Sequence, residues 1–138
     1  MIQTFTIEKK STGKTDISDI TGELEQFLKE SEVQSGSVVA FCPGSTAAVT
    51  TIEFEGGVVN DLRQAIDRLI PRNIHYDHDA RWGDGNGYSH VRAAMMGPSL
   101  YIPVIDGQMT LGTWQQVVLC DFDNRPRTRR VIVQITGE

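Results

Sequence analysis

The 138-residue chain has only two cysteines, Cys42 and Cys120, far apart in sequence. That excludes a disulfide-stapled scaffold and a thiolate metal site built on a close cysteine pair. In a cytosolic chain the two read as reduced, half-buried strand residues. No apolar run approaches the roughly 18 residues needed to span a bilayer, so a membrane partner is not expected. The N-terminal MIQTFTIEKK lacks the basic-then-apolar pattern of an export signal, which implies a cytoplasmic location. Positive charge is in short supply, with 13 Lys and Arg against 18 Asp and Glu and a net charge of −5. A general nucleic-acid binder needs a basic face, so nucleic acid is not an expected partner either. There are no repeats, linkers or low-complexity stretches. The chain reads as one domain over 1–138, long enough to bury a core of its own.

Local patterns predict the elements. Residues 2–9 alternate like a strand, and Ser11-Thr12-Gly13-Lys14 is a turn signal before a short return strand at 15–17. Gly13-Lys14-Thr15 resembles the tail of a phosphate-binding loop, but Glu8 stands where its leading glycine would be, so the turn reading prevails. Ser18 is the expected cap of a helix reaching about Ser31, with Ile20, Leu24, Phe27 and Leu28 on one face. Strands are expected at 37–41 and 46–54, with Gly56-Gly57 as a break. A second helix is predicted over 58–69, stopped by Pro71. A short third helix is predicted over 90–96, with Ser89 as N-cap. The last third reads as β: 100–105, a hairpin at Asp106-Gly107, 108–111, 114–121, a turn at 123–126, and 128–135. The sum is an α+β domain: a mixed, largely antiparallel sheet with two longer helices and one short helix.

The candidate site centres on residues 75–97, HYDHDARWGDGNGYSHVRAAMMG. This stretch holds all three histidines, interleaved with Asp77, Asp79 and Asp84, and Gly83, Gly85 and Gly87 alternate through it. It has no visible periodicity before Ser89, and a long polar loop with aromatics in a small domain points to function. His75, His78 and His90 could supply metal ligands of the His and carboxylate type. His75 is as readily a solvated loop residue. His90 is expected at the first helical position, where the positive helix end would keep the ring neutral.

Three further constellations stand out. Gly44-Ser45-Thr46, between two strands, offers backbone N–H groups and two hydroxyls to a phosphate oxygen, or is an ordinary bend. Glu53 follows on the same strand as a ligand or an exposed strand residue. Arg125, Arg127, Arg129 and Arg130 form a basic cluster, with Arg127 and Arg129 on one face of a strand and Arg130 on the other. Their forked donors suit phosphate, and a solvated strand edge is the plain alternative. Leu111-Gly112-Thr113-Trp114-Gln115-Gln116 could form a stacking and hydrogen-bonding wall, although a core position is the default for Trp114.

Several segments together resemble the secondary thiamine-phosphate synthase, or YjbQ-like, family: PGSTAAVTTIE at 43–53, WGDGNGYSHVRA at 82–93, Gly97-Pro98-Ser99, LGTWQQ at 111–116 and Asp121-Phe122-Asp123 with its arginines. The resemblance covers nearly the whole chain in order. It implies a small α+β protein that assembles as a homotrimer. It also implies a site around His78, Asp84, Asn86, His90, Trp114, Gln115 and Arg130. The sequence departs from the commoner pattern at Gly44, where many members carry histidine. The implied reaction joins a pyrimidine-methyl diphosphate to a thiazole phosphate and releases diphosphate. On that reading His78, His90 and Asp84 hold a divalent metal, zinc or magnesium. Catalysis falls to His90, Asp84 and Asn86, and the phosphorylated substrate to Ser45, Thr46, Trp114, Gln115, Arg127, Arg129 and Arg130. Trp82 and Tyr88 are further stacking candidates. The alternatives are a trimeric metal- or small-molecule-binding protein without catalysis, and a phosphate-ester hydrolase.

Overall fold

The element that organises the molecule is a short strand buried on both faces, Gln116–Asp121 (QVVLCD). In a computed structural model describing residues 1–138, it is the centre of a three-stranded antiparallel sheet, between Asp16–Asp19 and Ala47–Ile52. In chain order the strands are β1 (Ile2–Lys10), β2 (Asp16–Asp19), β3 (Gly36–Phe41), β4 (Ala47–Ile52), β5 (Ser99–Ile105), β6 (Gln108–Met109), β7 (Gln116–Asp121) and β8 (Thr128–Gly137). The helices are α1 (Thr21–Ser31), α2 (Gly56–Leu69), α3 (Asp77–Trp82) and α4 (Gly87–Met96). A second sheet runs β1-β8-β3-β5-β6. Every strand pair in both sheets is antiparallel. The fold is therefore α+β, with no parallel pair to make the sheet mixed.

Burial explains the composition of β7. Successive side chains of a strand point to opposite faces. Val117 and Leu119 face a core of 17 buried residues shared with α1 and the five-stranded sheet, including Ile7, Leu24, Val38, Val49, Ile102 and Val133. Val118 and Cys120, with Phe122 just beyond, face a second core of 8, completed by Ile17 of β2, Ala48 of β4, Val59 and Ile66 of α2 and Ala93 of α4. A strand covered on both sides reads as a continuous apolar run, as this one does. Both cysteines are free and fully buried, not half-buried. No helix is long and apolar enough to cross a membrane.

Several expected boundaries move. Ser18 lies in β2, and α1 begins after Ile20 with no side-chain cap. Gly56-Gly57 opens α2 and does not merely break a strand. Glu55 caps that helix, its carboxylate accepting from Gly57 N at 2.8 Å and Val58 N at 2.9 Å. A fourth helix, α3, occupies part of the expected loop. It has no buried residue, so it carries no apolar stripe to announce it. The helix α4 starts at Gly87, which places His90 at its fourth position and makes Ser89 a fully buried helical residue rather than a cap.

Candidate functional site

Three glycines shape the approach to α4. Gly83 and Gly85 take positive φ, +67° and +66°, a region that residues with a Cβ avoid. Gly87 is helical and needed for space: a Cβ there would lie 2.7 Å from the Tyr76 Cβ and 3.0 Å from Asp79 Oδ1. That close approach lets Asp79 Oδ1 accept the Gly87 N–H at 2.8 Å, tying α3 to the start of α4.

The same packing gathers the candidate metal ligands. His78 Nδ1 lies 3.2 Å from Asp79 Oδ1 and 3.5 Å from Asp84 Oδ1. One ligand atom from each of His78, Asp79 and Asp84 can be chosen so that all lie within 4.8 Å of one another. The His90 ring packs on that of His78, with centres 4.5 Å apart and planes tilted by 43°. The hydrogen bond from His78 holds the Asp79 carboxyl below the usual range, and the Gly87 N–H adds to this against partial burial. An imidazole with two carboxylates is a donor set that divalent zinc accepts, while magnesium prefers oxygen alone. Asp79 was not singled out as a ligand in the sequence; its signal was its place one residue after His78, on the same short helix. His75 is exposed and pairs with Asp77 at 2.9 Å, and it touches the cluster only through a minor charge effect on Asp79.

A second network lies behind this cluster. Asn86 is buried, and both ends of its side-chain amide are engaged: Nδ2 donates to Asp123 Oδ2 at 3.4 Å, while Oδ1 accepts from Asn124 N at 3.2 Å and lies 2.6 Å from Ser89 Oγ. Asp123 also accepts from Thr46 Oγ1 at 3.0 Å and Arg125 N at 3.0 Å, and pairs with Arg127 at 3.1 Å. Arg129 donates from Nε to Asp121 Oδ2 at 2.7 Å, from Nη2 to Asp121 Oδ1 at 2.9 Å, and to Thr46 Oγ1. Burial pushes the Asp123 carboxyl up, but the Arg125 and Thr46 hydrogen bonds, the Arg127 charge and Asn86 outweigh it, and the net shift is downward. Arg129 is pushed down by burial and held up more strongly by Asp121.

The predicted residues thus divide. His78, Asp84 and His90 come together around Asp79. Asn86, Thr46, Arg127 and Arg129 converge on Asp121 and Asp123, where two carboxylates neutralise two guanidinium groups. Arg130 pairs across β1–β8 with Glu8, on the sheet face away from Arg129. Gln115 is tied to its own loop and to β4, accepting from Gly112 N at 3.0 Å and donating to Thr51 Oγ1 at 3.1 Å. Trp114 precedes β7 and is 71% exposed, not a core residue. Trp82 is also exposed, and Tyr88 is buried. Ser45 is exposed in the bend that contains Gly44 at φ +127°. A Cβ on Gly44 would lie 3.2 Å from Arg129 Nη1, so the bend sits directly over that arginine. Glu53 is an exposed residue just past β4.

The fold and this polar cluster define a small antiparallel α+β protein whose candidate site joins two helices to the turn between β7 and β8. Residues 3–138 match the model of the UPF0047 protein YjbQ-like family, and the chain belongs to it. A UPF0047 protein of Archaeoglobus fulgidus is 36% identical over 125 residues, covering 91% of this chain and 94% of its own. The UPF0047 protein YugU of Bacillus subtilis is 34% identical, with 96% and 98% covered. Among solved structures, a hypothetical protein of Aeropyrum pernix K1 superposes with a TM-score of 0.92 at 30% identity, covering 99% of both chains. A YbjQ-like protein of unknown function from Sulfolobus solfataricus P2 gives 0.90 at 26%, covering both chains in full.

Proposed function

We propose that this protein is a metal-assisted enzyme acting on phosphorylated small molecules, with thiamine-phosphate synthesis as the best named reaction. The observation that carries the reading is the convergence of His78, Asp79 and Asp84, with the His90 ring against His78. These side chains would hold a divalent ion, zinc before magnesium on the donor set, and the ion would supply Lewis-acid neutralisation of phosphate charge. His90 stands beside His78 as a further ligand or proton carrier. Asp79 and Asp84 fix the face His78 presents. Asn86 acts through position: its amide locks the start of α4 to the β7–β8 turn. The Gly44-Ser45-Thr46 bend offers a phosphate oxygen the Ser45 hydroxyl and backbone N–H groups.

The test is turnover of the pyrimidine-methyl diphosphate with the thiazole phosphate by purified protein carrying its metal. Product formation lost in Asp84→Asn and His90→Ala supports the reading. Metal and ligand binding with no turnover favours the alternative of a non-catalytic binding protein. One observation favours that alternative: Arg127 and Arg129 are already neutralised by Asp123 and Asp121, leaving less charge for a departing diphosphate.

A homotrimer belongs to the same proposal. Val39, Phe41, Tyr101, Ile105 and Ile2 leave apolar surface on the outer face of the five-stranded sheet. Closed symmetry covers such a face without open-ended growth. Light scattering at micromolar concentration should give a mass near three chains; a mass near one chain overturns it.

A further inference from the structure

A pocket of about 310 Å³ lies between the β1–β2 turn and α2, lined by Lys14, Thr15, Arg63, Asp67, Pro71, Arg72 and Asn73. Apart from Pro71 its lining is wholly polar, and it shares no residue with the His78 cluster. Four cations meet here if Arg92, which packs against Asp67, is included. The one carboxylate, Asp67, accepts from Arg92 at 3.0 Å. Lys14, Arg63 and Arg72 make no ion pair with any carboxylate. In a chain of net charge −5, a concave surface with unpaired positive charge is a built feature rather than a consequence of composition.

Thr15 organises it. Its carbonyl accepts from Arg63 Nε at 3.3 Å, and its hydroxyl accepts from Arg72 Nη2 at 3.1 Å and Arg92 Nη1 at 3.4 Å. A guanidinium is a donor only, so both contacts use the hydroxyl oxygen and leave its hydrogen without an acceptor in the protein. Thr15 is 6% exposed, and it holds a positive φ of +58°, a conformation that β-branched residues rarely adopt. Such outliers persist where the surroundings enforce them and cluster at ligand sites. The guanidinium groups of Arg72 and Arg92 are further held against the Tyr88 ring, 5.1 and 4.8 Å from its centre. The buried Tyr88 hydroxyl has no hydrogen-bond partner. Donors fixed before the ligand arrives bind it with less ordering cost.

We propose that this pocket binds a phosphate group, with Lys14, Arg63 and Arg72 supplying charge and Thr15 a hydroxyl donor. Forked guanidinium donors and a lysine ammonium suit a tetrahedral dianion. The site stands without the metal reading, since none of its residues belongs to the metal cluster. Its volume admits a phosphomonoester or free phosphate, and the two are told apart by comparing methyl phosphate with inorganic phosphate.

The experiment is calorimetric titration of both probes into the full chain at fixed ionic strength in chloride, with sulfate as competitor. Saturable binding is expected, weakened roughly tenfold or more in Lys14→Gln and in Arg72→Gln, since a charge-assisted hydrogen bond is worth at least that factor. Lys14 is exposed, so its variant stays folded even if Arg72→Gln does not. Lys29→Gln, at the exposed end of α1, should bind like the wild type. The proposal is overturned if neither probe saturates the wild type, or if Lys14→Gln binds as the wild type does. It is equally overturned if binding requires added zinc and disappears in His78→Ala, which would put the anion at the metal cluster.

Discussion

Arg129 grips Asp121 with two nitrogens, Nε at 2.7 Å from Oδ2 and Nη2 at 2.9 Å from Oδ1. The pair is nearly out of solvent, with 11% and 3% of the two side chains exposed. Breaking such a pair from one side strands a buried charge. Asp121→Ala should therefore destabilise the protein by about 3 kcal/mol in urea unfolding, somewhat eased by Asp123 at 3.7 Å from Arg129. A loss under about 1 kcal/mol would mean that Arg129 finds water instead.

Acid should expose the contribution of Asp123. Its carboxyl titrates lower in the folded chain than the ordinary value of about 3.9. A depressed carboxylate contributes stability that is complete above its unfolded value and is lost as pH falls through the folded one. The stability gap between wild type and Asp123→Asn should thus be widest near neutrality and close progressively below about pH 4. A gap that stays constant from pH 5 to pH 2 would rule this account out.

These two carboxylates also mark what the sequence could and could not reveal. Hydrophobic periodicity located α1, α2 and most strands, because burial on one face leaves a repeat that can be read directly. The double burial of β7 showed as VVLC, but its boundary did not: Trp114 looks like core, yet the chain turns before Gln116. The helix α3 has no apolar face and left no periodic trace. Its role is to bring His78 and Asp79 against Asp84. The arginine cluster was visible by composition. Its neutralisation was not, since pairing Arg129 with Asp121 depends on the strand-to-turn geometry at the end of β7. The pocket around Thr15 was foreshadowed only by Gly13-Lys14-Thr15, whose partners Arg63 and Arg72 come from a helix and its exit some 50 residues later.

The cysteines should be silent in the native state. Burial pushes the Cys120 thiol up to about 12, and Cys42 is also raised by burial despite the nearby Arg129 charge. The thiolate is the reactive form, so neither should react with a maleimide at pH 7.5 until the chain unfolds. Labelling of both should track denaturant unfolding measured by circular dichroism. Fast native labelling of either residue would show that its side of the core opens locally.

Arg92 is a large, fully buried side chain of α4. Its Nε and Nη2 donate to the Ile70 carbonyl at 3.0 and 2.8 Å, and Nη2 also reaches Asp67. It therefore ties α4 to the end of α2 while stacking on Tyr88. Arg92→Ala should cost about 2–4 kcal/mol, through lost packing and an orphaned carbonyl more than through the ion pair, since Asp67 is well exposed. Arg92→Lys should recover little of this, because an ammonium cannot serve the Ile70 carbonyl, Asp67 and Thr15 at once. Near-complete rescue by lysine would make the ion pair the dominant contribution.

The metal reading makes its sharpest prediction through His78. Its Nδ1 faces both Asp79 and Asp84, so in the metal-free protein that nitrogen carries the proton donated to Asp79. An ion bound among the three would take the Nδ1 lone pair, so a neutral ring would move its proton to Nε2 and an imidazolium would lose one. Zinc affinity should fall as the solution is acidified, because protons compete with the ion for the ring nitrogen. Carboxylate ligands alone would not weaken until far lower pH. His78→Ala should abolish zinc binding in calorimetry, and Asp79→Asn should weaken it strongly while loosening the Gly87 contact. His90→Ala should weaken it less if the ring only packs on His78, and as much if it ligates. His75→Ala should leave it unchanged, since that ring is exposed and pairs with Asp77. Neither alanine change at His78 nor at His90 should unfold the chain, because neither residue is part of the apolar core. Zinc content that is identical in wild type, His78→Ala and His90→Ala, and constant from pH 5.5 to pH 7.5, would sink the metal site altogether.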